Sequence, residues 1–441
     1  MAKKNILCAL DIGSSKVMAL LAVLSEDRNK IKVVSGSEVA CRGLKGGVVV
    51  NIPETARAIA QAVELCEEKA SIVSGKGGKG AGKSSDFPPV EELTLSVRGK
   101  HFESFNNKGA YNIARTDKEI TTADVESVIE IAKAVPISQD REVLHVISQD
   151  FWVDRQKGVP NPVGMEGSLL EVDVHILTGI SSHINNVVKA VNRAGFKASQ
   201  ICYGLLALGD AVVTEEEKEQ GCLLLDFGGQ TVGMGVYYEG ALRYSKEIPF
   251  ASDTITRDLA HCLRTSIVNA QRIKEEYGAC LMNMTQPDEE IEFYGLDGRE
   301  TKRVKRRIVI EVIQSRVEEI FSFVGRELEN SALLDTIQAG GVIITGGGSM
   351  MRGLAEAGTE LLAIPTRLGI PQMESVDISN EVLMNLGFAS SASVLQYSTR
   401  PPLWSEKVDG KWRSGFDLSP SRKGRKRLSG KFRTWLEELF S

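Results

Sequence analysis

The same short plan occurs twice in this 441-residue chain, and it limits the fold more than any other feature. In the first copy an apolar strand ends in Asp11, a polar turn follows at Gly13-Ser14-Ser15, and a second strand runs from Lys16 to Leu24. A third strand lies near Ile31 to Val34. In the second copy Cys222 to Asp226 reads as a strand, Gly228-Gly229-Gln230-Thr231 as a turn and Val232 to Tyr238 as a strand, after which Glu239-Gly240 turns into a strand from Ala241 to Ile248. β-Branched residues in the runs and glycine at the bends are hairpin signals. Two halves that begin alike predict a duplicated α/β architecture.

The shared feature is an aspartate at a strand end, with glycine and a hydroxyl residue within five positions. Small turn residues let backbone N–H groups approach anionic oxygens, and Ser or Thr hydroxyls add donors. A carboxylate repels phosphate but holds Mg²⁺, commonly through waters that the ion retains. Two such turns facing each other clamp a metal–phosphate group from both sides. A third element, Val342-Ile343-Ile344-Thr345 running into Gly346-Gly347-Gly348-Ser349, is a buried strand entering a glycine loop, with helical patterning from Met350 to Leu362. Backbone can press against a nucleotide at such a place. It is not a dinucleotide fingerprint, because Met351 stands where the last glycine belongs.

Gly77-Gly78-Lys79-Gly80-Ala81-Gly82-Lys83-Ser84 satisfies the P-loop expression, but only Ile72-Val73 precede it as apolar residues and Pro88-Pro89 follow. The mechanism needs a buried strand before the loop and a helix after it, so the stretch from Gly75 to Ser85 reads as a surface insertion. The seven cysteines are never spaced as CxxC, and the five histidines form no HxxxH pair. Reduced core thiols and no zinc site are expected. No apolar run approaches the ~20 residues that span a bilayer, and the first one ends in Asp11, unlike a signal peptide. The chain is therefore expected to stay inside the cell.

Net charge is −5, yet from Ser421 to the end there are seven Lys/Arg against two Glu. A basic tail on an acidic body needs a reason. Between Ser398 and Arg427, prolines, glycines and charges predominate, ending in Arg422-Lys423-Gly424-Arg425-Lys426-Arg427. This reads as a linker. Leu428, Phe432, Trp435, Leu436, Leu439 and Phe440 then fall on one helical face, with Lys431, Arg433, Glu437 and Glu438 elsewhere. A short helix of that kind lies flat on an anionic membrane surface. Docking on the protein's own body competes with this reading, but the linker argues against it. Nucleic acid is not expected as a partner, because the body is acidic and no aromatics interleave with the cations.

The three glycine and aspartate elements, in this order, resemble the actin/sugar-kinase/heat-shock-70 ATPase superfamily. The resemblance implies an actin-like (ribonuclease H-like) duplicated two-lobed α/β fold that takes ATP and Mg²⁺. It puts Asp11, Gly13, Ser14, Ser15 and Lys16 on one side of the phosphates and metal, and Asp226, Gly228, Gly229 and Thr231 on the other, with Mg²⁺ near Asp11 and Asp226. Gly346, Gly347, Gly348 and Ser349 then lie near adenosine, as do Lys274 and Glu275, whose segment Arg272-Ile273-Lys274-Glu275 resembles that family's adenine- and ribose-contacting helix. An actin-like body with a linker and an amphipathic tail is further similar to the bacterial cell-division family FtsA. Segments such as Arg42 to Val48, Val143 to Ile147, Asn161 to Met165 and Val174 to Leu177 read like that family.

On that resemblance, residues 1–98 and 171–203, with 380–397 returning, form the first lobe, and 99–170 an inserted α/β subdomain containing a helix from Thr122 to Ala134. Residues 204–249 and 308–379 form the second lobe, 250–307 its smaller subdomain, 398–427 a flexible basic linker and 428–441 the membrane helix. The family tethers the tubulin-like FtsZ polymer to the inner face of the cytoplasmic membrane at the division site, polymerises there and recruits later division proteins. FtsZ's C-terminal peptide is expected at the basic run from Lys302 to Arg307, ahead of a helix from Val309 to Leu328, with Lys305, Arg306 and Arg307 as its contacts. The superfamily's water-positioning Gln or Glu has no counterpart between Ile201 and Gly209, so nucleotide binding with weak or no hydrolysis is expected. A small-molecule kinase and a pilus-assembly ATPase of the same superfamily are the alternatives; a chaperone would need more chain after Ser398.

Overall fold

A computed structural model of the protein describes residues 6–25, 30–73, 89–296, 298, 300–372, 376–377 and 385–399, and the backbone of 405–408 and 411–414. The P-loop-like stretch and the C-terminal helix fall outside the described residues.

The chain opens with strands β1 (Ile6–Ile12), β2 (Lys16–Leu24) and β3 (Ile31–Ala40), each antiparallel to the next. A small hairpin, β4 (Leu44–Lys45) and β5 (Val48–Val49), leads to α1 (Ile52–Val73) and β6 (Glu92–Val97). An α/β unit follows, made of β7 (Phe102–Asn112), α2 (Thr122–Lys133), β8 (Arg141–Val153), β9 (Gln156–Val159) and β10 (Leu169–Ile180). The chain then returns through α3 (Ser181–Arg193), β11 (Lys197–Tyr203), α4 (Gly204–Val212) and α5 (Glu215–Gln220).

The second half repeats the opening with β12 (Cys222–Phe227), β13 (Val232–Tyr238) and β14 (Ala241–Ile248). After α6 (Ser252–Leu263) and α7 (Ile267–Tyr277), the hairpin β15 (Glu290–Tyr294) and β16 (Thr301–Lys305) enters α8 (Arg306–Asn330). Then come β17 (Val342–Thr345), α9 (Leu354–Leu362), β18 (Thr366–Leu368), β19 (Val376–Asp377) and α10 (Ala389–Thr399).

The duplication is visible in the sheets. One runs β11-β6-β1-β2-β3-β19 and the other β18-β17-β12-β13-β14. In each, the central strand pairs antiparallel with the next strand in sequence, and parallel on its other side with a later one, β6 or β17. This is the ribonuclease H-like arrangement of an actin-like fold. Central strands covered on both faces read as continuous apolar runs, as Cys222-Leu223-Leu224-Leu225 does, all fully buried. Helix α8 buries Val309, Ile313, Val317, Ile320, Phe321, Val324 and Leu328 along one stripe, each contributing roughly 1.5–3 kcal/mol.

Three local features differ from the sequence reading. Helix α8 takes Arg306 and Arg307 into its first turn, because the Arg306 amide donates to Glu289 O at 2.7 Å. The helix after the glycine loop is interrupted. A 3₁₀ turn spans Gly347–Met350, and α9 starts only after Gly353, whose φ of 78° suits glycine and whose Cβ would strike Met284. Within the stretch read as a linker, β20 (Ser405–Val408) and β21 (Lys411–Ser414) pair antiparallel, as the intervening Asp409-Gly410 sequence encourages.

The inserted unit is a four-stranded sheet, β7-β10-β8-β9, with α2 against it. Strand β10 straddles the expected edge at 170 and ends at Ile180. The sheet also leans on β14 of the second half. Ser104 Oγ donates to Ser245 O at 2.6 Å, Gln149 Nε2 to Leu242 O at 2.7 Å, and Arg243 pairs with Asp150 at 2.8 Å. Buried His175 sits between Asn106 Oδ1 (2.6 Å) and Ser245 Oγ (2.9 Å). Burial holds His175, His145 and His101 down to about 4.

These groups are neutral in the fold and protonated in the unfolded chain below about pH 6.5, so their stabilisation is intact above that value and is lost as pH falls toward 4. Urea unfolding between pH 7 and 4 is expected to show this loss. His175→Gln should flatten the slope by up to one proton, about 1.4 kcal/mol per pH unit; an unchanged slope would count against a neutral His175.

Candidate functional site

Asp11 and Asp226 are the penultimate residues of β1 and β12, and each is followed by a turn closed in the same way. Gly13 N donates to Lys16 O and Gly228 N to Thr231 O, both at 3.0 Å. The two turns meet. A side chain at Gly229 would come within 2.9 Å of Ser15 Oγ, so only glycine lets the halves approach this closely.

Arg98 lies between the aspartates, and the sequence reading missed it. Its Nη2 donates to Asp11 Oδ2 at 2.9 Å and its Nη1 to Asp226 Oδ2. The aspartate side chains are 3% and 1% exposed. Each carboxylate keeps its second oxygen, Oδ1, buried without a hydrogen-bond partner among the described residues. Two carboxylates with one unpaired oxygen each are suitable donors for Mg²⁺, which takes one or two carboxylates and keeps waters for the rest. Among the described residues no cluster of three His, Cys, Asp or Glu side chains offers a fully protein-built metal site.

The Gly46-Gly47 turn backs this cluster. Gly46 N donates to Gln230 Oε1 at 2.7 Å and Gly47 N to Ser14 Oγ at 2.9 Å, so one turn holds a side chain from each hairpin. On the far side, the glycine loop rests on the second hairpin. A Cβ at Gly346 would lie 2.2 Å from Asp226 Oδ1, and one at Gly348 3.0 Å from Phe227 O. A Cβ at Gly347 would meet only Gly387 and Lys16 at about 4 Å, which brings Lys16 to the same seam. Lys16 Nζ also pairs with Glu38 at 3.0 Å.

Other expected residues are engaged differently. Ser349 is buried and bonds its own loop at Gly346 O, 2.7 Å away. Lys274 is 7% exposed and donates to Ser252 Oγ (2.7 Å) and Thr256 Oγ1 (2.8 Å), and burial holds its ammonium down to about 8. It thereby steadies the segment whose Asp253 N donates to Gly229 O at 2.7 Å. Glu275 is exposed and accepts a hydrogen bond from Gln271. Arg306 is 7% exposed and is committed inward to Glu289 (2.8 Å) and Tyr277 O (2.7 Å), whereas Lys305 and Arg307 are exposed.

Glu247 of β14 is a second residue missed in the sequence. It is 7% exposed, accepts from the Tyr203 hydroxyl at 2.9 Å and lies beside Gly233; burial pushes its carboxyl up. The one available signal was a charged residue closing the strand Glu92–Val97 (Arg98); β14 around Glu247 has a mixed burial pattern and offered none.

Comparison with known proteins follows the same lines. The family described as "Cell division protein FtsA" matches residues 223–393, and the "SHS2 domain inserted in FTSA" matches 99–178. The chain is 36% identical over 370 residues to a cell division protein FtsA of Neisseria meningitidis serogroup B, covering 84% of this chain and 85% of that one. It is 36% identical over 393 residues to that of Pseudomonas aeruginosa, covering 89% of each. A chain of the PilM-PilN type IV pilus biogenesis complex superposes with a TM-score of 0.62 at 15% identity, covering 90% of this chain and 99% of that one, a likeness of fold.

The seam between glycine loop and hairpin yields a direct test. Gly346→Ala forces both a φ of 88° and a clash with Asp226, whereas Gly158→Ala, at φ 74° with nothing within 4 Å, meets only the backbone cost. Gly158→Ala should cost about 1–2 kcal/mol in urea unfolding and Gly346→Ala about 3 kcal/mol or more. Equal costs would mean that Gly346 does not press on Asp226.

Proposed function

The chain belongs to the FtsA family of cell-division proteins, and from that premise we propose that it is a nucleotide-switched tether holding FtsZ filaments at the inner membrane face. The observation that carries the nucleotide part is the convergence of two glycine-turned hairpins on Asp11 and Asp226, each with a free buried oxygen. Backbone N–H groups of Ser14, Ser15 and Gly229, in turns that the Gly13 and Gly228 N–H groups close, bind phosphate oxygens with the hydroxyls of Ser14, Ser15 and Thr231. Asp11 and Asp226 hold Mg²⁺, which when bound neutralises phosphate charge. Gly346 to Gly348 present bare backbone to the nucleoside, and Lys274 keeps the adjoining helices in place from within.

The residues favour holding a nucleotide over hydrolysing it, because residues 201–209 carry no amide or carboxylate to orient a water. On this reading nucleotide occupancy stiffens the join between the lobes and permits self-assembly. Exposed Ile267, Val268, Tyr294 and Leu296 near the β15–β16 hairpin supply apolar surface for contacts between subunits.

For the FtsZ peptide, exposed Arg307 and Lys305 provide the cations, and Arg306 shapes the site from inside. Ile308, next to Arg307, lines a groove of about 530 Å³ between α6 and α8 that also includes His261, Val312 and Arg316. No helix among the described residues is long and apolar enough to cross a membrane. Attachment is assigned to the segment Leu428 to Phe440 on its amphipathic pattern, helped by the basic run at about 1 kcal/mol per cation near anionic lipid.

Two experiments test the tether. Full-length protein should carry FtsZ down with anionic liposomes, and protein ending at residue 427 should not; recruitment that survives the truncation defeats the membrane assignment. Arg307→Glu should weaken FtsZ-peptide binding tenfold or more with an unchanged urea midpoint, whereas Arg306→Glu should lower the midpoint. Undiminished affinity in Arg307→Glu retires the peptide site.

A further inference from the structure

Among the described residues, Arg98 bonds the acidic residues of both lobes, Asp11 and Asp226. It follows directly on β6, so its backbone belongs to the first half, yet its guanidinium reaches Asp226 of the second. Two carboxylates drawn together out of water repel each other and lose hydration, a cost of several kcal/mol per ion unless a cation compensates. Here the compensating cation is part of the chain. Its planar fork spans the pair, one nitrogen to each carboxylate.

The surroundings fix it there. A Cβ at Gly47 would lie 2.1 Å from Arg98 O and 2.5 Å from Gly99 Cα, so the Gly46-Gly47 turn packs directly on the Arg98 backbone. That same turn is bonded to Ser14 and Gln230, one from each hairpin. The small cavity that Arg98 lines with Ile12, Val97 and Phe102 measures about 10 Å³, roughly the room of one water. A guanidinium carries five N–H donors; two are spent on the aspartates, which leaves others for a further anion.

We propose that Arg98 is a built-in cation of the nucleotide site, neutralising the Asp11–Asp226 pair and donating to a phosphate oxygen, so that a nucleotide binds without a divalent metal ion. The inference rests on the nucleotide-binding reading above. Each aspartate gives one oxygen to Arg98 and keeps Oδ1 for a metal, so Mg²⁺ adds to the site without being what creates it.

The test is titration of the full chain with a fluorescent ATP analogue, in Mg²⁺ and in EDTA. The unaltered protein should bind in EDTA within about threefold of its affinity in Mg²⁺. Arg98→Ser should lose tenfold or more in EDTA and recover most of it in Mg²⁺. Arg98→Lys, which keeps a charge but cannot span both carboxylates, should fall between. A wild-type affinity that drops more than tenfold in EDTA overturns the proposal, as does an Arg98→Ser protein with the wild-type ratio. Absence of binding by the wild type in both buffers sinks the nucleotide reading and this inference together. The wild-type comparison needs no variant, so a poorly folded Arg98→Ser leaves the test standing.

Discussion

Two aspartates from opposite halves of the chain are buried against one arginine, and most of the architecture can be traced to making that contact. A strand-ending carboxylate is easy to place in one sheet. Bringing two of them together requires the sheets to present the same edge to each other, which the repeated order of β1, β2 and β6 and of β12, β13 and β17 accomplishes. Gly229 follows from the approach, since a side chain there would meet Ser15 Oγ of the other half at 2.9 Å, whereas Gly13 and Gly228 are required by their own turns and Gly346 by its packing on Asp226. Charge and packing meet at this point, because the same approach that takes the carboxylates out of water also brings them the guanidinium that offsets their lost hydration.

What was legible in the sequence was local. Strands Lys16–Leu24, Val232–Tyr238 and Ala241–Ile248 run where the alternation and the glycine turns put them, because a hairpin is specified by neighbours in the chain. Asp11 and Asp226 were legible for the same reason, each lying in a short repeated pattern. Arg98 was not, because its significance comes from a partner 128 positions away, and no local period announces that. Glu247 was hidden likewise, in a strand of mixed pattern, and is revealed only by Tyr203 and Arg98 around it.

The basic run before α8 shows the opposite error, where composition suggests more than geometry grants. Five cations in six residues look like one surface, from Lys302 to Arg307. In the fold they alternate. Arg306 turns inward to Glu289 and Tyr277 O and becomes a strut, Arg303 pairs across the hairpin with Glu292, and Arg307 remains exposed. A buried arginine that satisfies a backbone carbonyl and a carboxylate stabilises the helix start; an exposed one next to a groove is the group able to recognise an acidic ligand. Lys274 makes the same point, since an ammonium with several internal acceptors is a brace for α6 and α7 before it is a ligand contact.

Arg98 also joins the site to the inserted unit by the shortest route, since Gly99, Lys100 and His101 are all that separates it from β7. That unit is covalently continuous with the first half, yet its sheet is fastened by side chains to β14 of the second half, at Ser104, His175, Gln149 and Asp150. The stretch after Arg98 is packed as closely as the seam with β14, since a Cβ at Gly99, whose φ is 139°, would lie 2.6 Å from Gly46 O. The seam holds several hydrogen bonds and a largely buried ion pair, which is costly to break by removing one partner. The inserted unit is thus tied to both halves, to the first by the chain through Gly99 and to the second by side chains on β14.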